Sequence, residues 1–274
     1  MTFSLRAAKI KSMVTRVNTE NKNLVDAIEE ALAPLGGISA FVKKDERVFL
    51  KPNFNTSDPY PASSDLEFLK AVISIVSSQS PAEIILGDSP TFFGNSKKYF
   101  EEINPWQLEK EFKNLRVVFL NEEAWIKKTV QNGKYLKEAS VPAFLDQVDK
   151  LILLPCLKTH AWAGYTGALK LAVGLLKPTE RIRLHAGHLQ EKIADLNTLI
   201  KPDLVIMDAR ACFINKGPAE GEIKKPNLIL ASKNRVELDI EGVKIIQSFP
   251  GNSLAGINPL ELPQIKRAKE LGIG

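Results

Sequence analysis

Five short runs of aliphatic residues constrain the fold more than any other feature of this 274-residue sequence. The runs are rich in Val, Ile and Leu, and their apolar residues follow one another without alternating with polar ones. Such runs are typical of strands that are buried on both faces, as in a largely parallel sheet covered by helices. The predicted strands are residues 47–50, 82–87, 150–155, 203–208 and 227–232.

Segments with helical periodicity lie between and around these strands. In each of them, apolar residues recur at the three- and four-residue spacing of an amphipathic helix. Alternating strands and helices favour right-handed crossovers, with helices covering both faces of the sheet. We therefore predict an α/β fold with a doubly wound, largely parallel (mixed) sheet. The predicted helices are residues 20–34, 64–77, 188–200, 235–248 and 262–271.

Residues 125–141 interrupt this alternation. Asn132 and Gly133 lie between two runs of alternating polarity, a pattern that indicates a β-hairpin with a type I′ turn. We expect an added β-hairpin, either as an antiparallel ribbon on the main sheet or as a small second lobe. Accordingly, we expect a single α/β domain over residues 1–274, or two lobes that divide near residues 120–150.

Composition narrows the class of protein. No apolar run reaches the roughly 18 residues that a membrane span needs, and the first residues lack the apolar core of a signal peptide. We therefore expect a cytoplasmic protein. Cys156 and Cys212 lie among apolar residues and are predicted to be buried free thiols. Because no CxxC motif occurs, we expect no iron–sulfur cluster held by this chain.

Positive charge is concentrated in residues 153–188. This segment contains all three histidines of the chain, together with five Lys and Arg residues against one acidic residue. A nucleic-acid-binding protein more often spreads its basic residues along a whole face, between aromatic platforms. A local positive site suits a small anion such as a carboxylate or a phosphate. We expect a small anionic molecule as the partner, and neither nucleic acid nor a membrane; nothing in the sequence indicates the oligomeric state.

Polar residues follow four of the predicted strands. In open α/β sheets, ligands bind beyond the carboxyl ends of the strands, and these ends share one edge when the strands are parallel. We therefore expect the polar residues to meet in one crevice and to bind the ligand there. They are Lys51 and Asn53, Asp88 and Ser89, Lys158 and His160, and Asp208.

The segment after Lys158 and His160 resembles a ligand-binding turn. Gly164 and Gly167 allow the backbone to approach a ligand closely or to adopt positive φ, and Lys170 follows where a helix is expected to begin. Exposed N–H groups at such a turn bind anions. The glycines are equally consistent with a plain turn. GxxxxGK[ST] and GxGxxG are both absent, so neither a Walker loop nor a nicotinamide dinucleotide site is indicated.

The remaining basic residues and histidines leave alternatives open. Arg183 could help to hold an anion, whereas Lys177, Arg181 and Arg183 could also form a solvated face. His185 and His188 have the spacing of two ligands on one helix face, which allows a metal site for nickel or another divalent ion. A histidine at the end of a strand can also serve a structural role through a hydrogen bond.

Several motifs resemble the family called domain of unknown function 362, over about residues 45–245. They are FLKPNFN, IILGDSP, LPCLKTHAWAGYTGALKLAVGLLKP, RLHAGH, DLVIMDA and NKGPAEG. Many relatives also carry a ferredoxin segment with cysteine-rich motifs, which this sequence lacks. The family version of the Thr-Gly-x-x-Lys block has Lys-Asn where this chain has Lys170-Leu171.

The central block is also similar to the amino-terminal domain of nickel-pincer lactate racemases. That resemblance implies an acid/base role for His160, attachment of a cofactor to Lys170 and a nickel ligand at His185. The position of the second acid/base histidine of those enzymes holds Asp88-Ser89 here. Asp88 could act as the base if burial raised its pKa. The separate carboxy-terminal substrate domain has no counterpart in this sequence, so we do not expect lactate racemisation.

Together, these features favour an enzyme that binds a small anionic substrate or cofactor in a cleft lined by Lys and His. His160 would transfer a proton, since the ordinary pKa of histidine lies near neutrality, and Asp88 or Asp208 would orient or oppose it. The chemistry would be racemase-like or another proton transfer, assisted by a metal or a nickel-pincer cofactor. The alternative is a non-catalytic module that binds a ligand or a redox partner. A nucleic-acid binder is the third and weakest reading.

Overall fold

The computed structural model describes residues 14–91 and 93–274 of the chain. The predicted α/β class is confirmed, since helices cover a central sheet whose middle strands are parallel. In chain order, the strands are β1 (Thr15–Asn18), β2 (Arg47–Lys51), β3 (Glu83–Asp88), β4 (Leu115–Phe119), β5 (Trp125–Thr129), β6 (Glu138–Pro142), β7 (Lys150–Leu153), β8 (Cys156–His160), β9 (Gly164–Thr166), β10 (Leu204–Phe213), β11 (Ile223–Lys224) and β12 (Leu228–Ser232).

The helices connect these strands or follow them. Asn23, Asp65 and Asn234 cap the helices α1, α2 and α7, because their side-chain oxygens accept N–H groups of the first turn. The structure confirms the five predicted helical segments as α1, α2, α6, α7 and α8. The helices are α1 (Leu24–Leu32), α2 (Leu66–Ser77), α3 (Ser96–Ile103), α4 (Ala168–Leu171), α5 (Pro178–His185), α6 (Leu189–Leu196), α7 (Arg235–Gln247) and α8 (Pro263–Glu270).

The main sheet has the strand order β1-β12-β10-β7-β2-β3-β4. Along this path, the strands β10, β7, β2, β3 and β4 are parallel to one another. Strand β12 pairs antiparallel with both β10 and β1. Strands β8, β9 and β11 extend the sheet beside β10. The sheet is therefore mixed, with a parallel centre, as predicted.

The central strands are buried on both faces. Val48 and Leu50 of β2 belong to one hydrophobic cluster, with residues of α1 and α2, whereas Phe49 between them belongs to a second cluster on the other face. Because successive side chains of a strand point to opposite faces, a strand covered on both sides needs apolar residues at every position. This is the physical reason for the unbroken aliphatic runs.

Strand β10 is longer than predicted. The expected strand ended at Asp208, but β10 continues to Phe213 because it also pairs with β8 and β11, through Phe213–Lys158 and Phe213–Ile223. Asp208 therefore lies in the middle of a strand rather than at its end. Strand β4, helix α3 and the short strands β1, β8, β9 and β11 were not predicted from the sequence.

Strands β5 and β6 form the expected antiparallel hairpin, as a separate two-stranded sheet. The predicted type I′ turn is wrong. That turn needs positive φ at both central residues, but only Asn132 has it, with φ of 57°. Val130 N instead donates to Lys137 O and closes a longer loop. Gly133 is needed for space, since a Cβ atom there would lie 2.0 Å from the Leu136 carbonyl oxygen.

Two further expectations concern the thiols and the membrane. Cys156 and Cys212 are buried and free, as predicted. Within residues 14–91 and 93–274, no helix combines the length and the apolar character that crossing a bilayer requires. The cytoplasmic location stays a prediction.

Candidate functional site

A cavity of about 260 Å³ opens where β2, β3 and β8 end. The predicted edge of the sheet therefore carries a cavity, and most of the residues expected there line it. These are Lys51, Asn53, Asp88, Ser89, Lys158, His160, Lys170 and His185. Arg181, Thr166, Phe93 and Trp162 also line it, although the sequence did not single them out as ligand-binding residues.

Five predicted residues lie outside this cavity. Asp208 is buried in β10, where it pairs with Arg210 at 2.7 Å and accepts a hydrogen bond from the Tyr60 hydroxyl at 2.8 Å. The interior position of Asp208 in the strand explains why it does not reach the sheet edge. Arg183 is exposed on α5. Because residues two apart on a helix face opposite sides, Arg181 points inward instead.

Gly164 and Gly167 allow backbone arrangements that a larger residue would hinder. Gly164 has φ of 68° and pairs with His160 across the tight connection between β8 and β9. Gly167 stands where a Cβ atom would lie 2.2 Å from Oδ1 of Asp239. The predicted positive φ therefore applies to Gly164, whereas Gly167 allows a close approach between segments of the chain.

His188 does not share a site with His185. Its side chain is exposed, its ring packs 4.9 Å from the ring of Tyr135, and its Nδ1 lies 3.6 Å from Glu191. His185 lines the cavity. In the part of the chain that the structure describes, no group of three or more His, Cys, Asp or Glu side chains could hold a metal ion.

Lys51 and Asp88 form a buried ion pair at the base of the cavity. Lys51 Nζ lies 2.7 Å from Asp88 Oδ1 and also donates to the Pro52 carbonyl. Burial lowers the pKa of Lys51, although the carboxylate beside it opposes this shift. Asp88 also accepts the backbone N–H groups of Phe54 and Ser89. Because both carboxylate oxygens are already engaged, the geometry favours a positioning role for Asp88 over that of a base.

Lys158 and Arg181 bring buried positive charge to the walls. Lys158 Nζ donates to the carbonyl oxygens of Pro61 and Ala62, and burial lowers the pKa of Lys158 to about 8. Burial lowers the pKa of Arg181 to about 10, so the guanidinium stays charged at neutral pH. Backbone carbonyls orient both groups, but they are dipoles and leave the net charge of the cations in place.

Arg181 is held at four points. It donates to the carbonyl oxygens of Ser89 and Pro90, which follow β3, and to those of Gly174 and Leu176, which precede α5. These bonds measure between 2.8 and 3.0 Å. Arg181 therefore joins two sides of the cavity and fixes the distance between them.

Lys170 contributes an amine of a different kind. Its side chain lines the cavity, and its Nζ has no hydrogen bond or ion pair with residues 14–91 or 93–274. Burial, together with the nearby charges of Lys158 and Arg181, lowers the pKa of Lys170 to about 7. A large fraction of this amine is therefore neutral at physiological pH, and a neutral amine is both a nucleophile and a base.

Asp239 on α7 positions the short helix that carries Lys170. Its carboxylate accepts the backbone N–H groups of Ala168 at 2.7 Å and Leu169 at 2.9 Å. Asn197 supports the same turn, since its Nδ2 donates to the Leu169 carbonyl at 2.8 Å. Burial raises the pKa of Asp239 to about 7. The sequence contained one hint of this role, because Asp239 is an acidic residue on the apolar face of a helix.

His160 is present as a neutral hydrogen-bond donor. Its Nδ1 accepts the backbone N–H groups of Trp162 at 3.1 Å and Ala163 at 3.2 Å. Since Nδ1 accepts, Nε2 carries the proton. Burial, followed by the charges of Lys170 and Lys158, lowers the pKa of His160 to about 2. This arrangement favours hydrogen-bond donation by Nε2–H, whereas the proton-transfer role expected from the ordinary pKa of histidine stays a prediction.

His185 has the opposite tautomer. Its Nδ1 lies 2.7 Å from the Arg181 carbonyl oxygen, which can only accept, so Nδ1 carries the proton and Nε2 carries the lone pair. Burial lowers the pKa of His185. Metal-binding histidines commonly have this second hydrogen bond to a carbonyl. One imidazole does not make a metal site, so a metal here would need further ligands from an organic cofactor.

Two buried polar atoms in the cavity lack partners. Asn53 is 6% exposed and Thr166 is 5% exposed, and neither Asn53 Oδ1 nor Thr166 Oγ1 has a hydrogen-bond partner among the described residues. A buried polar atom without a partner costs about 1–3 kcal/mol, which is why such atoms are rare outside binding sites. Both residues line the cavity, so a ligand there could supply the missing partners.

The cavity carries a surplus of positive charge. Four cationic side chains, Lys51, Lys158, Lys170 and Arg181, share it with a single carboxylate, Asp88. Like charges brought together in a poorly solvated space repel one another, and an anion relieves that repulsion. The arrangement can therefore bind a small anion, donate hydrogen bonds to it from His160 and Thr166, and offer it the amine of Lys170.

Comparisons with known proteins agree with the fold. The family model described as domain of unknown function (DUF362) matches residues 48–244. The thylakoid-associated protein sll1697 of Synechocystis sp. is 26% identical over an alignment of 274 residues, and the match covers 97% of this chain and 80% of that protein.

A solved structure is similar over most of the chain. The lactate racemase apoprotein from Thermoanaerobacterium thermosaccharolyticum has a TM-score of 0.55 at 12% identity. The match covers 90% of this chain and 60% of that one. At this identity, the likeness shows a shared fold.

Proposed function

Because the chain belongs to the family described as domain of unknown function 362, whose description assigns no activity, we propose a function from the cavity itself. The protein is an enzyme that binds a small anionic substrate or cofactor and transfers a proton beside it. One observation carries this proposal: an amine without a hydrogen-bond partner in the described chain, that of Lys170, faces a cavity already lined by three other cations.

Binding of the anion follows from the charges. A carboxylate or phosphate among Lys51, Lys158 and Lys170 replaces repulsion between cations with attraction, in a space where water screens little. Thr166 Oγ1 and the side chain of Asn53 add hydrogen bonds that orient the ligand. The bound anion also raises the pKa of Lys170, because an opposite charge favours the ammonium form.

Lys170 transfers the proton, and His160 stabilises the charge that develops during the transfer. The fraction of Lys170 that is still neutral when the anion is bound removes a proton from a carbon beside the carbonyl or carboxylate of the substrate and becomes an ammonium group. Nε2–H of His160 donates a hydrogen bond to the oxygen on which negative charge develops, as in an oxyanion hole. Lys170 then returns the proton to a neighbouring carbon or oxygen of the same substrate, which gives the isomer and regenerates the neutral amine. Asp88 keeps Lys51 in place through their ion pair.

A nickel-pincer cofactor would fit part of this site. Lys170 would hold the organic group, and Nε2 of His185 would be the protein's ligand to the metal. When bound, such a group would supply a metal centre, and Lys170 would then anchor the group instead of removing the proton. The donor set supports only a metal that arrives with its own organic ligands, because one imidazole is too few for a bare divalent ion.

The second candidate is a binding module without catalysis. It is favoured by one observation, that Asp88 and the Nδ1 atom of His160 are both engaged by backbone N–H groups. In that case the same cavity would hold an organic acid, a nucleotide or a redox partner's anionic group, and Lys170 would act only as a cation.

Native mass spectrometry of the freshly purified protein tests the proposal directly. We expect a small anion or an adduct on Lys170, which disappears in Lys170→Met but persists in Lys225→Met, whose lysine is exposed and lies outside the cavity. Inorganic phosphate and acetate titrations should show the same difference between the variants. Equal binding of these probes to Lys170→Met and Lys225→Met would overturn the assignment.

A further inference from the structure

The mouth of the cavity carries a pair of exposed aromatic rings. Phe93 is 54% exposed and Trp162 is 61% exposed, and their ring centroids lie 6.0 Å apart at an angle of 80°. Among the described residues, no other Phe or Trp side chain is exposed to this degree. Both rings line the cavity that contains the buried cations.

These rings are connected to the site behind them. The ring of Trp162 lies 5.7 Å from that of His185, in an edge-to-face arrangement. Trp162 also follows His160 by two residues and donates its backbone N–H to the Nδ1 atom of that histidine. The aromatic surface therefore adjoins the polar interior of the cavity beside His160 and His185.

The inner lining of the cavity also combines apolar and charged side chains. Phe54, Leu171 and Val173 contribute apolar surface between the cations. A water molecule takes up about 30 Å³ in the liquid, so a cavity of about 260 Å³ has room for more than a carboxylate group. A compact aliphatic acid would leave both the apolar lining and the two rings in contact with water.

We infer that the substrate is an aryl-substituted carboxylate or phosphate, whose anionic group lies among Lys51, Lys158 and Lys170 and whose flat ring packs against Trp162 and Phe93. This inference rests on the proposed function and narrows it to a class of substrate. Aromatic rings associate through edge-to-face and offset contacts, and the exposed pair offers both a face and an edge to an incoming ring.

Benzoate, acetate and benzyl alcohol test the inference, with dissociation constants from ligand-observed NMR. Benzoate carries both the ring and the charge, whereas acetate lacks the ring and benzyl alcohol lacks the charge. We expect benzoate to bind about tenfold more tightly than either of the others, because a ring contact and an ion contact act together. Phosphate and benzyl phosphate repeat the comparison for the other anion.

The double variant Phe93→Leu and Trp162→Leu provides the decisive comparison. Both side chains are exposed, so the variant should fold, and benzoate should then bind no more tightly than acetate. Ile223→Ala, at an exposed apolar residue outside the cavity, should leave all three affinities unchanged.

Each other result has a definite meaning. Equal affinities of wild-type protein for benzoate and acetate overturn the aryl inference but leave the anion site intact. Equal affinities for benzoate and benzyl alcohol also overturn it, since the rings would then form an apolar surface that is independent of the cations. If neither anion binds, the proposed function fails as well.

Discussion

The carboxylate of Asp239 and the backbone N–H of Ala168 are joined by a hydrogen bond of 2.7 Å that spans 71 positions of the chain. This bond lies at the first residue of the helix that carries Lys170. The orientation of the Lys170 amine therefore depends on Asp239, which belongs to a different helix, α7. It also depends on Gly167, which allows the two segments to approach each other.

Asp239→Asn should lower both the stability and the reactivity of Lys170. The asparagine oxygen can accept one of the two N–H groups, but its NH₂ group would face the other as a second donor. We expect a loss of about 1–3 kcal/mol in the free energy of unfolding, measured in urea, together with slower acylation of Lys170. Glu237→Gln, which changes a more exposed carboxylate of the same helix, should do neither. Unaltered acylation in a destabilised Asp239→Asn protein would show that the turn is only structural.

The pKa of Lys170 should lie well below that of an ordinary lysine. Because its pKa is lowered to about 7, its labelling rate with acetic anhydride should rise with pH and level off just above neutrality. The labelling rate of the exposed Lys225 serves as the reference. Peptide mass spectrometry after competitive labelling measures both rates in one sample. Bound phosphate should raise the midpoint of Lys170, and a midpoint near 10 in the free protein would contradict the burial of this amine.

The lowered lysine pKa values also predict how stability depends on pH. Between about pH 7 and pH 10, the unfolded chain keeps a proton on the Lys170 side chain that the folded chain has released. Stability should therefore rise with pH in this window, by at most about 1.4 kcal/mol per unit from this residue. Lys170→Met should show a flatter dependence in urea titrations at pH 7, 8 and 9. An unchanged slope in the variant would show that Lys170 does not contribute, and a steeper slope would show that its contribution has the opposite sign.

His160 should remain neutral throughout the physiological range. With its pKa lowered to about 2, its ¹⁵N resonances should report an Nε2–H tautomer and should not titrate between pH 5 and 8. His160→Asn keeps an oxygen that can accept from Trp162 N, but replaces the Nε2–H donor with the NH₂ group of a shorter side chain. We expect it to fold normally, yet to lose most of any turnover, whereas His160→Leu should also lose about 1–3 kcal/mol of stability. Titration of His160 with a pKa near 6.5 would disprove the assignment.

Gly174→Ala should disturb the ion pair at the base of the cavity. A Cβ atom at this position would lie 2.5 Å from Asp88 Oδ1 and 2.7 Å from Lys51 Nζ, so at least one of the two side chains must move. We expect a cost of about 1–3 kcal/mol and weaker binding of phosphate, measured by calorimetry. Gly256→Ala is the matched control, since its site is open although its φ is 73°. It should cost some stability through strain and leave phosphate binding unchanged.

Much of the site could be predicted because the sequence shows where the buried strands end. Unbroken aliphatic runs identified the buried strands, and parallel strands bring the residues that follow them to one edge. Lys51, Asp88 and Lys158 were located in this way, and all three line the cavity. The spacing of Lys158 and His160 on one strand also placed both on the same face.

The rest depended on tertiary contacts that no local pattern records. Asp208 was expected at a strand end, but pairing with β8 and β11 prolongs β10 beyond it. Arg181 and Arg183 were indistinguishable in sequence, because the inward side of α5 is set by how that helix packs. Asp239 lies about seventy residues from the segment that it supports. The tautomer of His160 is fixed by a turn whose shape the sequence did not reveal.

The four hydrogen bonds of Arg181 to carbonyl oxygens join two sides of the cavity that are distant in the sequence, so the site forms only when the chain folds. The charges of the cavity are assembled only in the folded chain, and the unfolded chain offers an anion no comparable concentration of cations. An anion that binds the native state alone must raise the melting temperature in proportion to the logarithm of its concentration. An anion that bound in this cavity would therefore stabilise the folded chain, and its concentration would help to determine the fraction of the protein that is folded.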